Sequence, residues 1–368
     1  MTPWYEIANA DAVESPSLLI YPDRVEKNLA EMIRFAGDPS RLRPHVKTHK
    51  LPQIVAMKLA VGITKFKTST IAEAEMTANA GGRDILMAYQ PVGPGAGRFA
   101  QLIKAFPQTQ FAALVDNPGT LAELSAAAVA AGVTMELVVD LNVGMNRTGI
   151  VPGAEAFALY KLLFQTPAVI AGGLHAYDGH LHNPDHDTVG RSVKQMCESL
   201  DILIADIQAA GHPKPRIIAG GTPTSPLLVR YPGIEVGAGT TVLWDFGQAA
   251  TTPYLPCMNA AVLMSRVISR PTPDRLCLDL GYKSVACESP QPRVRFFGLE
   301  DAEIVLQNEE HLVLQTPRAA SFPVGTVLYG IPRHICPTVA MHSYVWQVRD
   351  GIATERWPVV ARTRRITI

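Results

Sequence analysis

The sequence predicts an α/β protein in which a (β/α)8 TIM-like barrel is followed by an all-β domain. Short apolar, β-branched runs alternate with Ala- and Leu-rich helical stretches, and after about Thr251 alternating strand patterns replace them. The barrel domain is therefore expected over residues 1–250 and the β domain over residues 251–368. The N-terminal residues of the first range can also pack on the second domain. The eight barrel runs begin near Arg43, Thr64, Ile85, Phe111, Leu137, Ile170, Ile217 and Ile234.

Two elements precede the barrel strands. Residues 17–21 are strand-like, and apolar residues from Val25 to Ala36 recur on one helical face until Gly37 ends the helix. An open doubly wound sheet is the alternative architecture. No G-x-G-x-x-G follows the first strand, however, and the glycine-rich segments come late in the chain, which favours the barrel.

The C-terminal part shows the two-residue alternation of strands. Residues 275–280 alternate in this way, and residues 344–352 form a hairpin pattern whose Asp350-Gly351 pair suits a tight turn.

Composition restricts the class of protein. The chain has 368 residues, of which 47% are hydrophobic and 18% charged, and its net charge of zero argues against nucleic acid or an anionic membrane as a partner. The five cysteines form no C-x-x-C pair, and neither a signal peptide nor a membrane-spanning run is present. A cytoplasmic enzyme acting on a small molecule is the expectation.

The basic stretch Leu42–Lys50 places Lys47 where a strand would leave the core. A lysine that forms a Schiff base with an aldehyde cofactor needs such a place, because its amine must be held by packed backbone and kept near other cations. A solvated basic strand end is the alternative for these residues taken alone.

Glycine-rich segments follow three later runs. Gly144 and Gly149 flank Arg147, a potential donor to a phenolate or carboxylate oxygen, although an incidental arginine in a surface turn would look the same. Loops after the seventh and eighth strands of such barrels commonly bind phosphate through backbone N–H groups. The residues concerned are Gly220, Gly221, Thr222, Gly239 and Thr240.

The sixth run ends in a dense group of proton donors and acceptors. Tyr177, Asp178 and His180 are the candidates for contact with substrate or with metal-bound water, and His182 and His186 are weaker ones.

His334-x-Cys336 is a candidate metal pair in the second domain. In an extended segment, residues two apart point to the same side, so an imidazole and a thiolate could hold one ion, zinc rather than magnesium. The spacing by itself is too common to be diagnostic.

Taken together, these motifs resemble the fold-type III pyridoxal phosphate enzymes, and more narrowly the D-threonine aldolase and D-serine dehydratase family. The resemblance extends over nearly the whole chain. Its motifs are R-P-H-x-K-x-H-K around Lys47, G-x-x-R-x-G around Arg147, the Gly-Gly-Thr loop, Asp279-x-Gly281-x-Lys283, Glu310-His311 and His334-x-Cys336.

The resemblance implies roles for these residues. Lys47 would form the Schiff base, while His45, Arg147, Tyr177 and the glycine-rich loops would bind the cofactor. His334 and Cys336 would bind a divalent metal, with zinc preferred over manganese or magnesium, that engages the β-hydroxyl group of the substrate. A homodimer is also implied.

The implied activity is that of a lyase in D-amino acid metabolism, acting on D-β-hydroxy-α-amino acids. A D-threonine aldolase, which releases glycine and an aldehyde, is the leading hypothesis, with Asp178 or His180 as the base. Bacterial D-threonine aldolases carry His-x-Asp at the metal pair and histidine at the place of Asp178, whereas Cys336 is similar to the D-serine dehydratases. A D-serine or D-3-hydroxyaspartate dehydratase, a metal-independent racemase and a non-catalytic cofactor carrier are the alternatives.

Overall fold

The computed structural model describes residues 3–368 and contains two compact units. One takes its described residues from Met1–Glu31, Thr48–Leu51 and Thr240–Arg362, and is called the β unit. The other comprises Met32–Lys47, Pro52–Gly239 and Thr363–Ile368, and is called the barrel unit. The division into folding domains at residues 250 and 251 stays a prediction.

Ten α-helices and sixteen strands make up the regular structure of the described chain. The helices are α1 (Pro22–Ala36), α2 (Pro52–Ala60), α3 (Ile71–Asn79), α4 (Pro94–Ala105), α5 (Pro118–Ala131), α6 (Ala154–Leu163), α7 (His186–Ala209), α8 (Ser225–Leu228), α9 (Phe246–Thr251) and α10 (Ile335–Met341). The barrel strands are β2 (Lys65–Thr68), β3 (Asp84–Met87), β4 (Gln110–Val115), β5 (Met135–Leu141), β6 (Val169–Ala176), β7 (Ile217–Ala219) and β8 (Ile234–Val236). The remaining strands are β1 (Ser17–Ile20), β9 (Ala261–Ser269), β10 (Arg275–Leu278), β11 (Val294–Phe296), β12 (Glu303–Gln307), β13 (Leu312–Gln315), β14 (Val327–Pro332), β15 (Tyr344–Arg349) and β16 (Ile352–Pro358). Every helix in this part of the chain is too short or too polar to cross a lipid bilayer.

The barrel unit is built on seven parallel strands that pair in chain order from β2 to β8. The predicted first strand is not a continuous strand: the run at Arg43 forms only isolated bridges, Leu42 to Val236 and His45 to Lys67. Pro44 explains the difference, because proline lacks the N–H group that a continuous strand ladder needs. The bridges still join β8 to β2, so the predicted barrel fold is confirmed with one strand reduced to a bridged segment.

A buried ionic network lies inside the barrel near the amino ends of β2 and β3. Arg43 is fully buried, and its guanidinium donates to Asp84 and to Glu235 at 2.7 Å each. Lys65 completes the network with a 2.5 Å contact to Glu235. Pairing of this kind offsets much of the free energy that burying a charge costs. Farther along the strands the interior becomes apolar, with a core that includes Leu86, Ala112, Leu114, Val138 and Ile218.

The β unit contains a nine-stranded sheet in which β9 is central. The N-terminal strand β1 lies between β9, with which it is antiparallel, and β15, with which it is parallel. Two predictions for this part of the chain can be compared with the structure. The hairpin at residues 344–352 is confirmed, with Asp350 and Gly351 both at positive φ in its turn. The expectation that strand patterns replace the helices after about Thr251 is wrong for one segment, because α10 lies between β14 and β15.

Candidate active site

Lys47 lies in a 3₁₀ turn, Val46–Thr48, directly after the bridge between His45 and Lys67. Its side chain is half-buried, as expected for a nucleophile that must reach a ligand. His45 Nδ1 accepts the backbone N–H of Lys47 at 3.2 Å, so the ring proton of a neutral His45 is on Nε2. The bridge and this hydrogen bond together hold Lys47 at the carboxyl end of the barrel strands, where barrel enzymes place their chemistry.

Tyr177 is the centre of a group of cations, called here the Tyr177 cluster. The Nζ atom of Lys47 lies 5.7 Å from the ring centroid, that of Lys67 5.5 Å, and the Cζ atom of Arg147 4.7 Å. All three are within the range of cation–π attraction. Gly179 makes this ring position possible, because a Cβ atom there would lie 2.4 Å from the tyrosine hydroxyl oxygen. The structure thus brings together three residues that the sequence predicted, with Lys67 as an addition.

Lys67 was missed by the sequence analysis. It is 1% exposed, and burial, followed by repulsion from Lys47, lowers its pKa to about 7. A signal was present in the strand itself: Lys65 and Lys67 are two residues apart in β2, so both side chains belong to the same face of that strand. Lys65 reaches the interior network at Glu235, which identifies that face as the inner one.

Asp140 and His175 form a second buried polar pair in the barrel unit. His175 Nδ1 and Asp140 Oδ1 are 2.7 Å apart, and Thr148 donates to the other carboxylate oxygen at 2.8 Å. Burial opposes the charge on Asp140, but His175, Thr148 and Arg147 outweigh it and lower the pKa of this carboxyl. Asp140 therefore stays ionised and orients the imidazole of His175, whose Nε2 is buried and has no partner in the structure.

Asp178 supports the first glycine-rich loop. It is 1% exposed, and its Oδ1 accepts the backbone N–H of Gly221 at 2.9 Å, while Oδ2 is buried without a partner. Burial raises the pKa of this carboxyl to about 6. Thr222 connects the two loops, since its hydroxyl accepts the backbone N–H of Gly239 at 3.3 Å. Gly220 adopts φ +82°, a left-handed conformation that favours glycine.

His180 packs on the loop that carries Arg147. A Cβ atom at Gly144 would lie 2.7 Å from His180 Nε2, and Gly144 also has φ +115°. The Nδ1 atom of His180 is buried without a partner. Burial and then His182 lower its pKa, so the ring is neutral at physiological pH and can accept a proton.

The candidate metal pair lies in the β unit, at the start of α10. The prediction of an extended segment is wrong: His334 is the N-cap of this helix and Cys336 lies in its first turn. The two side chains nevertheless contact each other. Cys336 Sγ also donates to Thr48 Oγ1 at 3.3 Å and lies 3.8 Å from Thr240 Oγ1.

Glu288 completes the surroundings of His334, with Oε1 at 2.6 Å from Nδ1. A carboxylate on one imidazole nitrogen is the usual support for a histidine that binds a metal through the other nitrogen. Residues 3–368 contain no group of three or more His, Cys, Asp or Glu that could hold a metal ion. The donor set therefore fits an open site with two protein ligands, in which water or substrate supplies the rest.

The barrel residues fit pyridoxal phosphate. The Tyr177 cluster supplies positive charge for an anionic ligand, and the loops at residues 220–222 and 237–239 follow the last two barrel strands. His175 Nε2 and Asp178 Oδ2 are buried polar atoms that have no partner within the protein, and such atoms are costly unless a ligand or water satisfies them.

Comparisons with known proteins agree with this description. The family described as "Alanine racemase, N-terminal domain" matches residues 20–237, and the one described as "Putative serine dehydratase domain" matches residues 260–348. A D-threonine aldolase from Arthrobacter sp. is 30% identical over 359 residues, which cover 95% of this chain and 93% of that protein.

Two further matches are a dehydratase and a solved aldolase structure. A D-threo-3-hydroxyaspartate dehydratase from Delftia sp. is 27% identical over 379 residues, covering 94% of this chain and 97% of the relative. The crystal structure of D-threonine aldolase from Filomicrobium marinum superposes with a TM-score of 0.89 at 27% identity, and 99% of each chain is covered. The chain therefore belongs to the D-threonine aldolase and D-serine dehydratase family of pyridoxal phosphate-dependent lyases, whose N-terminal domain is like that of alanine racemase.

Proposed function

We propose that this protein cleaves D-β-hydroxy-α-amino acids to glycine and an aldehyde, in a reaction of the D-threonine aldolase type that needs pyridoxal phosphate and a divalent metal. The observation that carries the proposal is the 30% identity to a D-threonine aldolase over nearly the whole of both chains. The geometry of the barrel unit supports the cofactor, and the contact between His334 and Cys336 supports the metal.

The barrel residues would hold the cofactor by charge and by backbone donors. Lys47 supplies the amine that bonds to an aldehyde. Arg147 is exposed and lies over the ring of Tyr177, where it can donate to an anionic oxygen. The backbone N–H groups of Gly220, Gly221 and Gly239 donate within the protein to Ala176 O, Asp178 Oδ1 and Thr222 Oγ1. A phosphate group at these loops would replace such an acceptor. When bound, pyridoxal phosphate serves as an electron sink for the bond that is broken at the substrate Cα.

Two groups of the barrel unit are suited to move a proton. Asp178 has a pKa of about 6 and one carboxylate oxygen without a partner, so at neutral pH it is mostly ionised and able to accept a proton. The neutral ring of His180 has a similarly unpartnered Nδ1. We propose Asp178 as the base for the substrate hydroxyl, because its pKa is closer to neutral than that of an ordinary carboxyl.

His334 and Cys336 would bind the metal, and Glu288 would orient His334. A thiolate together with an imidazole favours zinc, and manganese or magnesium are the alternatives. A divalent cation at this pair would supply Lewis acidity toward a hydroxyl group.

A dehydratase is the second candidate, and one feature favours it. Cys336 provides a thiolate where aldolases of the resembling family have a carboxylate, and the 27% identical relative is a dehydratase by name. The same site would then expel the β-hydroxyl group and yield a keto acid and ammonia.

Product analysis separates the candidates. Purified protein is incubated with D-threonine, D-phenylserine and D-serine, each with added zinc or manganese and with EDTA. Glycine and the corresponding aldehyde support the aldolase, whereas 2-oxobutyrate or pyruvate with ammonia would show a dehydratase. Activity that persists unchanged in EDTA, with inversion at Cα as its outcome, would refute both metal-dependent proposals in favour of a racemase.

We also propose that the protein is a homodimer, as the family resemblance implies. Sedimentation equilibrium at micromolar concentration tests it: a mass near twice 39.8 kDa is expected, and a monomer would contradict it.

A further inference from the structure

Lys67 is a buried amine to which the proposed reaction assigns no role. It lies on the inner face of β2, pairs in register with Leu86 of the apolar core, and is 1% exposed. Taking a lysine out of water is unfavourable unless charge or hydrogen bonds compensate for it. A hydrophobic residue at this position would fill the barrel at lower cost, so the amine needs an explanation.

The glycine-rich loop after β8 leaves room for this amine. A Cβ atom at Gly237 would lie 2.2 Å from Lys67 Nζ and 2.9 Å from the carbonyl oxygen of Gly220. Any other residue at position 237 would therefore displace either the amine or the loop. Lys67 Nζ thus lies beside Gly237, at the place where the loop after β8 passes the loop after β7.

The charges around Lys67 leave an excess of cations. Lys47 and Arg43 lower its pKa in addition to burial, while Asp178 and Asp140 raise it. Arg43 is already paired with Asp84 and Glu235, whereas the Tyr177 cluster adds Arg147. With Lys67 protonated, three cations, Lys67, Lys47 and Arg147, therefore face the two carboxylates. An anionic ligand would reduce the repulsion between these cations, and pyridoxal phosphate carries a phosphate group and a phenolic oxygen.

We propose that Lys67 is a further cofactor-binding residue, whose amine is protonated when pyridoxal phosphate binds and then neutralises part of the charge of the cofactor. The inference rests on the cofactor of the proposed function, but it holds equally for an aldolase and a dehydratase. Lys67 acts here as a charge that faces the ligand, while Lys47 keeps its role as the nucleophile.

The affinity of the site for the cofactor should depend on pH. In the empty site Lys67 has a pKa of about 7, and an anion nearby raises it. Binding then takes up a proton above pH 7, so the affinity contributed by Lys67 decreases as the pH rises from 7 toward the pKa of the occupied site. The other titratable or charged groups near Lys67 are Lys47, Arg43, Arg147, Tyr177, Asp140, Asp178 and His175. The comparison of variants described next separates their protons from that of Lys67.

Titration of the cofactor-free, full-length protein with pyridoxine 5′-phosphate tests the proposal. This ligand has an alcohol in place of the aldehyde, so it cannot bond to Lys47, and isothermal titration in two buffers of different ionisation enthalpy reports affinity and proton uptake. We expect Lys67→Met to weaken binding about 10- to 100-fold at pH 7. At pH 8 the variant should take up nearly one proton fewer than the wild type when the ligand binds. Lys58→Met is the matched control, since Lys58 is a fully buried lysine of α2 whose pKa burial also lowers to about 7.

The outcomes are distinct. Equal affinity and equal proton uptake in the wild type and Lys67→Met would overturn the role of Lys67 while leaving the cofactor site intact. Failure of the wild type to bind the ligand, or to retain pyridoxal phosphate, would instead refute the cofactor itself. Should Lys67→Met not fold, as judged by circular dichroism, Lys67→Gln replaces it with the same expected losses, because the amide also lacks the charge.

Discussion

Replacing Asp178 by asparagine should make the cofactor-free protein more stable and the enzyme less active. Burial raises the pKa of Asp178 from 3.8 to about 6, so its ionised form is unfavourable in the folded state. A shift of this size corresponds to about 3 kcal/mol at neutral pH. Asparagine removes the charge and keeps an acceptor for the N–H of Gly221, but its new amide donor faces the place where Oδ2 has no partner. The unsatisfied donor costs about 1–2 kcal/mol of this gain, so we expect a net stabilisation of about 1–2 kcal/mol at pH 8.

The pH dependence follows from the direction of the shift. A carboxyl with a raised folded-state pKa binds more protons in the folded than in the unfolded protein between pH 3.8 and about 6, so its contribution to stability falls over that interval and is constant above it. The advantage of Asp178→Asn should therefore be present at pH 8 and smaller at pH 5. Thermal and urea denaturation of both proteins at the two pH values measure it.

Asp245→Asn is the matched comparison. Asp245 is 2% exposed, and burial likewise raises its pKa to about 6. Both of its oxygens are used, however, because Oδ1 accepts the N–H of Gln248 at 2.7 Å and Oδ2 that of Ile335 at 2.9 Å. An amide there must leave one of these N–H groups without an acceptor, so the Asp245 variant should be about 1–3 kcal/mol less stable than the Asp178 variant. The burial argument is wrong if Asp178→Asn is less stable than the wild type at pH 8, or if its gain in stability is the same at pH 5 as at pH 8. Full activity of Asp178→Asn would exclude Asp178 as the base.

Three further substitutions test the rest of the site. Lys47→Ala should remove the visible absorbance of the lysine-bound cofactor. In the wild type, borohydride reduction followed by proteolysis should place the pyridoxyl mass on the peptide that contains Lys47. The pyridoxyl mass on another peptide would contradict the assignment. Cys336→Ala should abolish turnover while the cofactor spectrum is unchanged, and normal rates would show that this thiol binds no catalytic metal. Glu288→Gln should weaken metal binding about 10- to 100-fold through loss of the carboxylate on His334 Nδ1, measured by competition with a chelating dye, and an unchanged dissociation constant would exclude that supporting role.

Sequence reasoning succeeded where a structural signal is local. Gly37 ends α1 at φ +74°, and Asp350 and Gly351 form the turn of the last hairpin, because in both places the backbone conformation depends on the residue that adopts it. Apolar runs of strand length, separated by helical stretches, were likewise sufficient to predict parallel barrel strands. The prediction of a strand in the first run was wrong, because Pro44 interrupts its hydrogen bonding. This proline was visible in the sequence.

Sequence reasoning failed where the role of a residue depends on what faces it. The spacing of Lys65 and Lys67 shows only that the two side chains share a face of β2. That this face is the inner one, and that the amine has room there, depends on Glu235 and on the missing Cβ of Gly237. The two-residue spacing of His334 and Cys336 was noticed, yet the contact between them arises at the start of a helix and not along a strand. Glu288 was missed because it is distant in sequence from His334 and reaches it only through the fold.

The sequence by itself thus determined the class of fold, most barrel strands, the position of Lys47 after a strand-like run, and the family, since each of these depends on local periodicity or on a short motif. Only the tertiary structure decided the charge and the partners of the site residues. The pKa of about 6 for Asp178 and about 7 for Lys67 arises from burial and from neighbours far away in the chain. The free energy of a buried charge depends on the residues that surround it in space, and the order of residues along the chain does not contain that information in any local pattern.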